Sequence, residues 1–364
     1  MKRLASVTVT DSSAPQRTPF GGWPTLYNKL SAGSDLTRSE TGGAMAEILA
    51  GNATAAQIAG LVLAMKVKGE TVEEMAGMSL AMLDAAAPLQ VPDGAIDIVG
   101  TGGSAHRRSH ALNVSTMAAF VAAGAGAIVC KHGNYKATST SGSSDFLTSL
   151  GIEVMVEGPR LEECIKTVGL GFAQARLFHP ALRHAGPVRA ELGVPTVFNL
   201  LGPISHPGRV RRQVVGTANE VIASQLADVL AATGSVKSWV VTGAGGLDEI
   251  STTGPSIVFE VRGDQVERME IKTSELGIQT PSSMDDLAGG DSEANVAIFR
   301  RILSGEEIGA KADIVALNAA AGLVVAGMAE DLERGLVQAR ESISSGRAAA
   351  KLDALIDVVG ISPG

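Results

Sequence analysis

Between Trp23 and about Ala87, apolar residues recur at helical spacing. Three threonines in this stretch are each followed three positions later by a side chain able to reach back: Thr37 with Glu40, Thr54 with Gln57, Thr71 with Glu74. That is the pattern of a capping box, in which a hydroxyl and a longer side chain satisfy the free N–H groups of a helix start. The intervening runs, such as 58–69, close on Gly33, Gly51 or Gly69, as helices do when a left-handed residue ends them. About four helices are predicted, and VPDG at 91–94 breaks the pattern. Beyond Gly94 the period shortens. Apolar runs at 95–100, 125–130, 152–156, 171–175, 238–243 and 257–261 predict strands, with helical stretches between most of them. From Asn295 to Val359 the pattern is helical again. The expected fold class is α/β: a small N-terminal all-helical domain plus a larger α/β domain with a central, largely parallel sheet. The expected division is a flexible leader at 1–22, rich in Ser, Thr and Pro, a helical domain at 23–90, and an α/β domain with C-terminal helices at 91–364.

Composition narrows the function. With 364 residues, 45% of them hydrophobic, the chain can fill a large core, which excludes disorder for its bulk. Asp and Glu outnumber Lys and Arg 38 to 30, and aromatics are 3%. A nucleic-acid binder needs surplus cations or stacking rings, so no nucleic-acid partner is expected. No apolar run reaches the ~18 residues of a spanning helix, so no membrane partner is expected either. Cys130 and Cys164 are too few for a disulfide framework or a cysteine-rich metal site. Buried thiols in a reducing cytoplasm are the expectation.

Glycine-rich loops follow the expected strands, and ligands of α/β sheets bind outside the carboxyl ends of strands. The first loop, GTGGSAHRRSHALNVST (100–116), runs from a strand into a helix near Ser115. Its glycines let backbone N–H groups approach anionic oxygens. The second, KHGNYKATSTSGSSD (131–145), offers Lys131, Asn134 and a string of hydroxyls. Two such loops at successive strand ends point to one shared polyanion site. A third, GGLDEIS (245–251), carries Asp248 and Glu249. Beside two anion loops, adjacent carboxylates suit Mg²⁺, which takes one or two carboxylates plus phosphate oxygens; alone they read as an exposed acidic turn. A fourth segment, 178–208, holds His179, His184 and Arg189, the last in a helix expected between Pro187 and Gly193. No Ser-His-Asp pattern or histidine cluster with metal spacing accompanies them.

GTGG (100–103), NVST (113–116), KHGN (131–134), SGSSD (141–145), the run from HPA to VRAELG (179–193), TVFNLLGP (196–203) and GLDEIS (246–251) together resemble the anthranilate phosphoribosyltransferase family, over about 24–360. The resemblance implies the two-domain fold shared with nucleoside phosphorylases, with the site in the cleft. It implies transfer of the phosphoribosyl group from phosphoribosyl pyrophosphate (PRPP) to the amine of anthranilate in tryptophan biosynthesis, by a cytoplasmic homodimer joined through the helical segment. PRPP would meet Gly100, Gly103, Ser104, Asn113, Val114, Ser115 and Thr116 on the first loop. On the second it would meet Lys131, His132, Gly133, Asn134, Tyr135, Lys136, Ala137, Thr138, Ser139 and Ser143. Anthranilate would meet Gly100, Asn134 and Arg189, with His179 and Pro180 lining its route. Mg²⁺ would be held by Ser115, Asp248 and Glu249, and no catalytic acid or base is implied. Two other classes keep a footing: a phosphoribosyltransferase or phosphorylase with another acceptor, and a non-catalytic relative that binds nucleic acid.

The chain departs from the family at one place above all. Ser104 and Ala105 stand where the family has Asp and Gly, and the stretch before Asn113 is longer and carries Arg107 and Arg108. The exchange of a carboxylate for two guanidinium groups predicts that these arginines fold over pyrophosphate; the alternative is a solvated surface excursion, since loop arginines usually face water. Tyr135 follows KHGN where an Arg is common.

Overall fold

The computed structural model describes residues 20–102, 112–135, 141–278 and 283–360. Four helices come first: α1 (Trp23–Ser31), α2 (Arg38–Leu49), α3 (Ala55–Lys68) and α4 (Val72–Asp84). All three capping boxes are formed, with Glu40, Gln57 and Glu74 each accepting from the backbone N–H of its threonine. Gly33, Gly51 and Gly69 follow α1, α2 and α3 at positive φ. Of the stretch read as a flexible leader, 20–22 is described, and Phe20 is buried there with its ring 5.3 Å from that of Trp23. That aromatic contact packs Phe20 against the start of α1.

Beyond α4 the described residues carry seven strands: β1 (Asp97–Gly100), β2 (Val129–Gly133), β3 (Leu170–Gln174), β4 (Arg212–Gly216), β5 (Lys237–Thr242), β6 (Ser256–Arg262) and β7 (Gln265–Ile271). β1, β4 and β5 are parallel neighbours, and β6 and β7 extend that sheet antiparallel. β2 pairs with β3 in parallel and meets β1 through an Ile96–Val129 bridge, so the central strands all point one way. The helices between them are α5 (Val114–Gly124), α6 (Ser143–Ser149), α7 (Gly158–Val168), α8 (Ala175–Phe178), α9 (Gly186–Leu192), α10 (Val197–Ile204) and α11 (Glu220–Ala232). α12 (Ser292–Ser304), α13 (Ala310–Ala326), α14 (Leu332–Ser344) and α15 (Arg347–Val359) complete the chain.

Two strand expectations need correction. The run at 152–156 is a strand of neither sheet. Ile152, Val154 and Val156 are buried while Met155 faces out, so the alternation packs an extended segment on the core without a ladder. Conversely, β4 and β7 have no counterpart among the expected strands. β4 opens on Arg212, straight after Arg209 and Arg211, and β7 alternates exposed polar residues as an edge strand does.

Two cores flank the sheet. One joins α5 and α13 to Ile96, Ile98 and Val129. The other joins the N-terminal helices, through Met45, Leu61, Met65 and Met75, to Val215, Leu226, Val240 and Phe259. The helical bundle is therefore seated on one sheet face, and β1, β2 and β4 end in glycine beside it, at Gly100, Gly133 and Gly216.

Candidate active site

The first loop leaves β1 at Gly100, where the Thr101 N–H donates to Gly216 O at 2.8 Å. Gly102 takes φ +67°, and its N–H donates to Asp248 Oδ2 at 3.1 Å. Gly103, Ser104, Arg107 and Arg108 lie outside the described residues. Asn113 stands just before α5, whose first residues are buried Val114, part-exposed Ser115 and buried Thr116. The Ser115 hydroxyl thus sits in the first turn of a helix, where free N–H groups favour an anion.

The second loop leaves β2 at Gly133. A hydrogen bond runs from the Asn134 N–H to Ser143 Oγ at 3.0 Å, and the Ser143 hydroxyl returns one to Asn134 O at 3.1 Å. Exposed Asn134 and part-exposed Tyr135 lie at the mouth, with the Arg176 guanidinium 5.0 Å over the Tyr135 ring. Lys136, Ala137, Thr138 and Ser139 lie outside the described residues. Lys131 is placed differently from a loop-borne point charge. It is buried, and its Nζ donates to Ile98 O at 2.6 Å. Its residue lies in the middle of β2, so the charge is set beneath the loops rather than on them.

The third loop crosses the ends of β1 and β4. A Cβ on Gly100 would lie 2.6 Å from Asp248 Oδ2, and one on Gly216 would lie 1.7 Å from Asp248 O. Glycine at both strand ends is what lets the acidic loop lie this close. Asp248 and Glu249 are buried, not an exposed turn. Asn318 of α13 grips the next residue, accepting from Ile250 N–H and donating to Ile250 O, both at 3.0 Å. Among the described residues no three His, Cys, Asp or Glu side chains converge as a metal site. Two adjacent buried carboxylates are nonetheless a fitting donor set for Mg²⁺, which completes its shell with water and substrate oxygen.

The fourth segment is the hub. The Gly202 O in α10 faces His132 Nδ1 at 3.1 Å, Pro203 O accepts from Gln213 Nε2 at 3.0 Å, and Ser205 O faces His179 Nε2 at 2.9 Å. Arg189 of α9 is half-buried with its guanidinium 5.4 Å over Phe198, and Pro180 is exposed. Burial lowers the pKa of Arg189 from its ordinary value, yet guanidinium stays charged at any working pH. His132 lies 5.2 Å from the His179 ring and 5.7 Å from the His206 ring. Burial holds all three below the usual histidine range, His206 at about 4, so they are neutral near pH 7.

Asp97, fully buried under this hub, accepts from the His132 N–H at 3.1 Å and lies 3.4 Å from Gln213 Nε2. Burial pushes its carboxyl up to about 7, against the pull of Lys131 and these donors. A raised folded-state pKa contributes stability that is complete below the unfolded value and is lost as pH rises through the folded one. Asp97→Asn removes that dependence. Between pH 4 and 7 the variant is expected to gain stability relative to the parent as pH rises, by at most about 1.4 kcal/mol per unit. Urea titrations across that window check it, and a constant difference would show that Asp97 does not titrate there.

The chain matches two family models: the glycosyl transferase family helical bundle domain over residues 24–86, and the glycosyl transferase family a/b domain over 92–349. It is 46% identical to the anthranilate phosphoribosyltransferase of Roseiflexus castenholzii over 331 residues, which is 91% of this chain and 96% of that relative. The chain belongs to the anthranilate phosphoribosyltransferase family. The crystal structure of the Thermus thermophilus family member superposes with a TM-score of 0.86 at 39% identity, covering 92% of this chain and 99% of that one. The Saccharomyces cerevisiae member, solved in complex with PRPP and Mg, gives 0.84 at 27% identity, covering 93% and 97%. In this family member, then, the first glycine-rich loop and the acidic loop meet at the ends of β1 and β4. Arg189 packs over Phe198 and His179 faces Ser205 O, both partners belonging to the 196–205 segment. The supporting residues Asp97, Gln213, Asn295 and Asn318 belong to no motif. Asp97 and Asn318 stand out as polar residues in apolar surroundings, whereas Gln213 follows Arg211 and Arg212 and Asn295 follows Ser292 and Glu293.

Proposed function

We propose that this chain transfers the phosphoribosyl group of PRPP to the amine of anthranilate, giving N-(5-phosphoribosyl)anthranilate and pyrophosphate, in tryptophan biosynthesis. The observation that carries the reading is the acidic loop packed on Gly100 and Gly216, with Asp248 bonded to the Gly102 N–H. It sets two carboxylates beside a loop built for an anion.

In this reading the N–H groups and hydroxyls of Gly100, Gly103, Ser104 and Asn113 to Thr116 bind PRPP, together with Lys131 to Ser139 and Ser143. Asp248, Glu249 and the Ser115 hydroxyl would hold Mg²⁺. Bound there, it would supply positive charge to the pyrophosphate oxygens. The chain's own share is to bind the departing pyrophosphate with backbone N–H groups and the buried charge of Lys131. The ribose C1–O bond breaks with its electron pair leaving on pyrophosphate. The anthranilate nitrogen forms the new bond to C1 and releases a proton. An aromatic amine is neutral near pH 7, so no strong base is required, and the neutral histidines of the hub fit a role in shaping the acceptor pocket. Arg189, braced on Phe198, would pair in a fork with the anthranilate carboxylate, with Gly100, Asn134, His179 and Pro180 around the ring. A homodimer through the helical segment and a cytoplasmic setting belong to the same reading. Among the described residues no helix is long and apolar enough to cross a membrane.

Arg189→Ala tests the acceptor assignment. A charge-assisted bond of about 1.5–3 kcal/mol corresponds to roughly a 10- to 150-fold rise in anthranilate KM, with the PRPP KM unchanged. Equal rises in both would make Arg189 structural. Retention of PRPP use with a different amine, in an acceptor screen, would favour another acceptor.

A further inference from the structure

Asn295 is fully buried in the first turns of α12. An amide inside a helix is costly to bury unless it is hydrogen-bonded, and its surroundings fix which way this one faces. The Gly290 N–H, which can only donate, gives to Asn295 Oδ1 at 2.9 Å. The Nδ2 group reaches Gly290 O at 3.5 Å and donates its shorter bond to Asn113 Oδ1 at 2.8 Å. That same oxygen accepts from the Ser141 hydroxyl at 3.1 Å. Asn113 Nδ2 points at the carbonyls of Ser141 and Gly142, each at 3.4 Å. With the Ser141 proton given to Asn113, Ser292 is the donor in its 2.9 Å contact with Ser141 Oγ. One ordered set of donors thus joins the start of α5, the start of α6 and the N-terminal end of α12. Inverting either amide would set oxygen against oxygen.

We infer that Asn295 is a positioning residue for PRPP. It sets the amide plane of Asn113 and holds the two anion loops at a fixed separation, touching neither substrate itself. The inference rests on the reading of Asn113 as a PRPP contact. A buried network that is fully oriented rigidifies what it joins, and the two segments it joins are those that follow β1 and β2. Asn318 does the same for the acidic loop from the neighbouring helix, but through backbone alone. Asn295 is the one whose bond ends on a side chain of the site.

The test is Asn295→Asp, which keeps the shape and replaces the donor facing Asn113 with an acceptor. The PRPP KM is expected to rise about tenfold or more, and the anthranilate KM to stay within about twofold. Ser292→Ala, at a part-exposed position, should raise the same constant by about two- to fivefold without loss of fold. A merely structural role would lower the melting temperature and leave the two KM values moving together. If Asn295→Asp fails to fold, Ser292→Ala decides alone. A PRPP KM within twofold of the parent in the folded variants overturns the inference. Asn113→Ala, run in parallel, separates the two layers: if it too leaves the PRPP KM unchanged, the substrate reading of Asn113 is at fault instead.

Discussion

Asp248→Asn combined with Glu249→Gln is expected to leave a folded protein with turnover reduced by a factor on the order of 10³ or more. Both side chains are buried, so the choice of amides matters. Asparagine keeps an oxygen for the Gly102 N–H that Asp248 now accepts, and the shapes are preserved. What is lost is the pair of negative charges able to hold a divalent cation. Folding should therefore survive, since an amide is cheaper to bury than a carboxylate. The checks are turnover over a range of Mg²⁺ concentrations and the melting temperature of the same preparations. Parent-like activity across that range would remove the acidic loop from the mechanism.

Gly216→Ala should be nearly as damaging, by geometry instead of charge. Its Cβ would stand 1.7 Å from the Asp248 carbonyl oxygen and 2.5 Å from the carbonyl carbon. Those are backbone atoms, so no side chain can rotate away. Either the end of β4 or the acidic loop must move, and Thr101, whose N–H donates to Gly216 O, moves with it. A loss of about 3 kcal/mol or more is expected, at the upper end of overpacking costs, together with most of the activity. Gly186→Ala is the control, since nothing lies within 4 Å of its added carbon. Thermal melts of the two variants decide the matter, and a Gly216→Ala protein that melts and turns over like the parent would contradict the packing described.

Both predictions depend on how the acidic loop meets the strand ends, and that meeting is only half legible in the sequence. The motif GLDEIS marks the loop, and the glycines mark the strand ends, because local chemistry writes both. The capping boxes are legible for the same reason: Thr37 and Glu40 are three residues apart and meet within one turn. What joins distant segments is not written locally. Asn295 reaches Asn113 across the fold, and Asp97 meets Gln213 from another strand. In the sequence Asp97 is one polar residue among apolar neighbours, while Gln213 and Asn295 stand near other polar residues. Lys131 shows the opposite failure. Its place at the head of KHGN suggests a loop cation, while the strand carries it inward to Ile98 O. The run at 152–156 has the period of a strand but no partner strand, and period alone does not supply one. Six of the family-implied PRPP contacts, Gly103, Ser104 and Lys136 to Ser139, and the two arginines at 107 and 108 lie outside the described residues.

The most direct measurement uses the protein unaltered. Anthranilate fluoresces, and substitution of its amine by a sugar phosphate quenches that signal. Mixing the protein with Mg²⁺, PRPP and anthranilate should abolish the fluorescence, with one pyrophosphate released per anthranilate consumed, and omission of PRPP should preserve it. Persistent fluorescence in the complete mixture, from folded protein, would contradict the transfer proposed here.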